Sequence, residues 1–123
     1  MDVHTVLFVE DSPTMRRIIA NSLAKLGFSN VIEAKNGIDA LEKISGQHVD
    51  LVVTDWNMPE MNGTKLVKKL RSMPEYHDVP IMMITTRGMK DDVLTAMKLG
   101  VNAYVIKPFT LDVLKSKLDD LFK

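Results

Sequence analysis

Residues 51–63 read Leu51-Val52-Val53-Thr54-Asp55-Trp56-Asn57-Met58-Pro59-Glu60-Met61-Asn62-Gly63. A short apolar run with little polar alternation ends on an aspartate, and a stretch rich in turn residues follows. Runs of that texture are typical of strands covered on both faces. The same texture recurs on either side, in Thr5–Val9 and in Ile81–Thr85. Val31–Ala34 and Ala103–Ile106 complete a set of five candidate strands.

The segments between these runs carry helical spacing. Met15, Ile18, Ile19, Leu23 and Leu26 form one apolar stripe, while Arg16, Arg17 and Lys25 point elsewhere. Ser12 suits an N-cap, Pro13 the first helical position and Gly27 the stop. Ile38, Leu41 and Ile44 mark a second helix, and Leu66, Val67 and Leu70 a third. Val93, Ala96 and Met97 mark a fourth, closed near Gly100; Leu111, Leu114, Leu118, Leu121 and Phe122 mark the last. Strand–helix alternation predicts a parallel sheet with helices on both faces. The fold class is therefore α/β, a flavodoxin-like doubly wound sheet of five parallel strands with five helices. Its order, 2-1-3-4-5, is taken by analogy, because periodicity does not fix it.

The 123 residues suit one domain spanning 1–123. Sixteen acidic and sixteen basic residues cancel, so charge gives no bias toward nucleic acid or membrane. The absence of cysteine rules out disulfides and thiolate chemistry. No signal peptide and no span-length apolar run is visible, which predicts a cytoplasmic protein.

Polar residues stand where the strands end. Glu10 and Asp11 follow the first, Asp55 the third and Lys107 the fifth, while Thr85 closes the fourth. In an open parallel sheet, ligands bind beyond the carboxyl ends of the strands near the switch in strand order, so these residues are expected to converge. Three carboxylates in one cleft repel: at about 4 Å and an effective dielectric near 20, each pair costs roughly 4 kcal/mol. Such a cluster raises its pKa values or binds a cation. Oxygen ligands favour a hard ion such as Mg²⁺. Asp11 and Asp55 are the expected direct ligands, Glu10 acts through water, and a backbone carbonyl at Asn57 completes the set. Asp55 is then a nucleophile able to form an acyl phosphate. The ion and Lys107 would neutralise the transferred oxygens. The Thr85 hydroxyl would bond a phosphoryl oxygen and draw its loop inward. At Lys107-Pro108 a cis peptide is tolerable and would aim the lysine at the site; the sequence leaves the isomer open.

Other readings are weaker. A Glu-Asp pair alone is commonly a solvated loop or a helix cap, and the reading rests on its combination with Asp55 and Lys107. A flavin carrier needs a glycine-rich, hydroxyl-bearing first loop, whereas this one begins with Glu10 and Asp11. A phosphatase with an aspartyl nucleophile commonly places a second carboxylate two residues on, where this chain has Asn57. His4, His48 and His77 show no ligand spacing. Met58, Met61 and Met89 serve either as core filler or as an adaptable interface.

Over essentially its whole length the chain resembles the response-regulator receiver domains of two-component signalling. The resemblance lies in Val9-Glu10-Asp11-Ser12, in Thr54–Gly63, in Thr85-Thr86 and in Lys107-Pro108-Phe109. Gly100-Val101-Asn102-Ala103-Tyr104 and the Asp55–Gly63 stretch are most similar to the stand-alone, CheY-like chemotaxis branch. The resemblance implies phosphorylation of Asp55 by a CheA-like histidine kinase with Mg²⁺, slow autodephosphorylation, and no other enzymatic activity. It implies a switch in which Thr85 and Tyr104 move together. It implies a monomer whose partner face, carrying Lys90, Tyr104 and Lys117, binds a flagellar motor switch protein, with an auxiliary phosphatase as a further partner. A phosphorelay intermediate or phosphate sink is the alternative. Two departures stand out. Glu10 replaces the family's usual aspartate, and Arg87 puts a cation at the rim, where it bears on dephosphorylation or on phosphatase recognition.

Overall fold

The computed structural model describes residues 5–122, so His4 lies outside the described residues. The strands are β1 Val6–Val9, β2 Val31–Ala34, β3 Leu51–Thr54, β4 Ile81–Thr85 and β5 Ala103–Ile106. They alternate with α1 Pro13–Lys25, α2 Gly37–Lys43, α3 Gly63–Arg71, α4 Lys90–Leu99 and α5 Leu111–Leu121. All strand pairs are parallel and the order is β2-β1-β3-β4-β5. β1 begins one residue later than the apolar run, and a short 3-10 turn at Pro74–Tyr76 was not foreseen.

Local chemistry sets the helix ends. Ser12 Oγ accepts from the Met15 amide at 3.3 Å, and Pro13 occupies the first turn. Side-chain oxygens of Asn36, Asn62 and Thr110 cap α2, α3 and α5 in the same way. Gly100, at φ +108°, ends α4 in a left-handed conformation that glycine adopts without steric cost.

Alternate residues of each strand feed two separate cores. Leu7, Val9, Val52, Ile81 and Met83 pack with Ala40 of α2 and Ile44 just past its end, with Leu66, Val67 and Leu70 of α3, and with Ala96 of α4. Val6, Phe8, Leu51, Val53, Met82 and Ile84 pack with Ile19, Leu23, Leu114 and Leu118 of α1 and α5. Both faces of the sheet are therefore covered, which is why the strands read as unbroken apolar runs. The helical stripes are narrower than their spacing suggested. Ile18 is 48% exposed, Ile38 41% and Met97 40%, and Leu111 also faces out. In α1, Ile18 and Ile19 stand about 100° apart around the axis, and the sheet covers the Ile19 side.

Arg71 organises the end of the molecule away from the strand C-termini. Its guanidinium donates to the carbonyls of Gly100, Tyr76 and His77 and to Asn102 Oδ1, which also accepts from the Ile81 amide.

Candidate functional site

Parallel register brings the strand ends level. Val9 pairs with Thr54, so Glu10, Asp11 and Asp55 leave the sheet side by side. The Asp55 amide donates to Val9 O at 3.1 Å and the Lys107 amide to Thr85 O at 2.8 Å. Glu10, Asp11 and Asp55 each offer a carboxylate oxygen within 4.8 Å of the others. Lys107 Nζ lies 2.7 Å from Glu10 Oε1 and 3.0 Å from Asp55 Oδ2. The Lys107–Pro108 peptide bond is cis. Asp55 Oδ1 accepts from the Trp56 amide at 2.6 Å. The loop after Asp55 turns back at Gly63, whose amide donates to Trp56 O; a side chain there would collide with the Asp55 carbonyl oxygen.

Glu10 lies deepest of the three acids. It is 2% exposed, and both its oxygens have protein partners, Oε1 with Lys107 and Oε2 with the Ser12 amide at 3.0 Å. It is an ion-pair partner built into the floor, and it belongs to the carboxylate group that could hold a metal ion. Burial pushes its carboxyl up, and the Asp55 charge adds to this, against hydrogen bonds from Lys107 and Ser12. Burial alone would lower Lys107, but its bonds to Glu10 and Asp55 outweigh that and leave it above its ordinary value.

One ammonium cannot neutralise three carboxylates. Asp11 is exposed and enters none of the ion pairs on Lys107. With Asn57, Met58, Pro59 and Asn62 it lines an open cleft of about 360 Å³. An all-oxygen donor set with residual negative charge, facing a solvated cleft, fits a hard divalent cation. Asp11 and Asp55 would hold it, with a loop carbonyl at Asn57.

The rim is a connected network that the sequence did not disclose. Thr85 is fully buried, and its Oγ1 accepts from the Arg87 amide at 3.2 Å. Tyr104 is 7% exposed, and its hydroxyl donates to the Arg87 carbonyl at 2.7 Å. The Arg87 guanidinium donates to Asn57 Oδ1 from Nε at 3.3 Å and from Nη2 at 3.2 Å. It lies 4.8 Å over the Trp56 ring and 3.5 Å from Asp92. Thr85 and Tyr104 thus meet through one residue. Lys117 and Tyr104 line a groove of about 350 Å³ with Ile106 and Met97; Lys90 is exposed but does not line it. Met58 is buried and Met61 packs against the core, so of the loop methionines Met89 alone is open, at 72%.

The response regulator receiver domain family model matches residues 6–119. The chain belongs to the response regulator receiver family. A chemotaxis protein CheY homolog from Campylobacter jejuni is 53% identical over 117 residues, covering 94% of this receiver and 90% of that protein. Chemotaxis protein CheY1 from Helicobacter pylori is 54% identical over 115 residues, covering 93% of each. Among solved structures, CheY4 of Vibrio cholerae superposes on this receiver with a TM-score of 0.88 at 30% identity, covering 97% and 98% of the two chains. The receiver domain of a sensor histidine kinase from Pseudomonas aeruginosa, solved with a magnesium ion coordinated in its active-site cleft, gives 0.87 at 26% identity and covers 98% and 99%. This receiver therefore carries the CheY-like fold and belongs with relatives named as chemotaxis proteins.

Proposed function

We propose that this receiver accepts a phosphoryl group on Asp55 from a CheA-like histidine kinase, with Mg²⁺, and that the modified protein engages the flagellar motor switch. One observation carries the reading: Asp55 stands within 4.8 Å of two further carboxylates and 3.0 Å from the Lys107 ammonium. When bound, the metal would offset carboxylate repulsion and polarise the phosphoryl oxygens. Asp55 Oδ attacks phosphorus, the bond from phosphorus to the donor imidazole nitrogen breaks, and that nitrogen keeps the electron pair. Lys107 bonds a transferred oxygen, and the Thr85 hydroxyl takes another. Thr85 Oγ1 also accepts from the amide of Arg87, whose carbonyl holds Tyr104, so a turn of the Thr85 side chain toward the phosphoryl group would pull on that link. The phosphoryl state is thereby linked to the face carrying Tyr104 and Lys117, with Lys90 at the start of α4. The protein catalyses only this self-modification and its slow reversal, since Asn57 cannot act as the acid/base of a true phosphatase. It works in the cytoplasm, where an auxiliary phosphatase shortens the phosphorylated state.

Mass spectrometry after exposure to a small phosphodonor tests the chemistry. One phosphoryl adduct is expected, dependent on Mg²⁺, absent in Asp55→Asn and weakened in Asp11→Ala. An adduct retained in Asp55→Asn would overturn the nucleophile. Capture of the motor switch protein should strengthen with a phosphoryl analogue; capture indifferent to the analogue would overturn the output.

A further inference from the structure

This inference rests on the magnesium reading proposed above. Besides its acids, that site needs loop 56–62 to hold a carbonyl beside Asp11. The loop contains the sole non-glycine residue with positive φ among the described residues, Glu60 at +66°. Glutamate does not favour that conformation, so contacts outside the loop must hold it. Three such contacts run to the start of α2. Glu60 Oε2 accepts from Asn36 Nδ2 at 3.2 Å. The Gly37 amide donates to Met61 O at 3.1 Å. The Met61 side chain covers Gly37 so closely that an added Cβ would stand 2.6 Å from Met61 Cγ.

Asn36 is suited to be the fixed end. It is 3% exposed, and its Oδ1 is committed as the α2 cap, accepting from the Asp39 amide at 2.8 Å. With one end of the amide held, the other is aimed at Glu60. The loop's tie on its far side, Asn57 to Arg87, ends on an exposed residue next to Thr85. We propose that Asn36 is a positioning residue for the metal site. Through Glu60 it holds loop 56–62 in the shape that presents a carbonyl, and so sets Mg²⁺ affinity without touching the ion.

Calorimetric titration with MgCl₂ tests this, with the rate of labelling by a small phosphodonor at saturating Mg²⁺ as second readout. Asn36→Asp keeps the helix cap but sets a carboxylate against Glu60. Its extra negative charge would by itself tighten the metal, whereas loss of positioning is expected to weaken it about tenfold. Combining Asn36→Asp with Glu60→Gln exchanges donor and acceptor and restores the wild-type charge; affinity should return. Labelling at saturating Mg²⁺ should match wild type in both. Asn36→Ser, which keeps a capping oxygen but no amide donor, should weaken Mg²⁺ in the same direction and serves if Asn36→Asp does not fold. Undiminished affinity in Asn36→Asp, or no recovery in the exchanged pair, would overturn the positioning role while leaving the magnesium reading intact. Wild-type protein that takes up no Mg²⁺ would overturn both.

Discussion

Asp55 is held between one attraction and two repulsions. Lys107 Nζ is 3.0 Å away, and Glu10 and Asp11 each bring an oxygen within 4.8 Å. In a common dielectric two repulsions at that range outweigh the single attraction, and partial burial adds to the cost. Asp55→Asn removes the charge and keeps one oxygen, enough to accept from either Lys107 or the Trp56 amide. It should therefore raise metal-free stability by about 1 kcal/mol, read as a higher urea midpoint at neutral pH. A lower midpoint would show that the lysine contact dominates. Lys107 offers a second check. Its folded pKa lies above the ordinary 10.5. Its stabilising contribution is complete below that value and is lost as pH climbs through the higher folded one. Stability above pH 10.5 should fall more steeply in wild type than in Lys107→Met; equal slopes would contradict the ion-pair assignment. Asp55 and Lys107 were legible in the sequence because each follows a strand that announces its own end. The Lys107–Glu10 bond was not, since it joins residues 97 positions apart and depends on strand register. The Arg87–Asn57 bond escaped for the same reason.

Among the elements, α2 is held less by its length than by its ends. It has seven residues, and helices that short are marginal without outside support. Asn36 closes its start. At its finish the Tyr76 hydroxyl, from the unforeseen 3-10 turn, donates to the carbonyls of Ile44 and Gln47. Tyr76 is 3% exposed; Tyr76→Phe would take the hydroxyl donor from the Gln47 carbonyl, while the Ile44 carbonyl keeps the Gln47 amide. A loss of about 1–3 kcal/mol is expected by chemical denaturation; a change within error would mean that solvent replaces the hydroxyl. Helix positions were readable from caps and period, as Ser12, Gly27 and Gly100 illustrate. Helix faces were less so. Periodicity marks which residues share a side but not how wide an arc the sheet covers, and Ile18 and Ile38 lie at the uncovered margin.

At the scale of the whole molecule, the sheet order makes the site. β1 and β3 are neighbours at its centre, and the two acidic segments meet only because of that adjacency. The sequence predicted the strands individually, but the order came from likeness, because nothing within a buried apolar run encodes its neighbour. The two ends of the sheet are also unequally secured. At the far end, Arg71 grips the Gly100 carbonyl through two nitrogens, at 2.8 and 3.2 Å, and so fixes the exit of α4. The entrance of α4 has no side-chain cap, follows the open Met89, and is steadied by the 3.5 Å pair of Arg87 with Asp92. The helix is thus hinged like a door at Gly100. Its free edge stands beside Thr85 and Arg87, so a small pull there swings the first turn furthest and the last turn hardly at all. Amide hydrogen exchange should accordingly slow from Leu94 toward Leu99, and Arg71→Lys, which lacks the planar fork, should flatten that gradient.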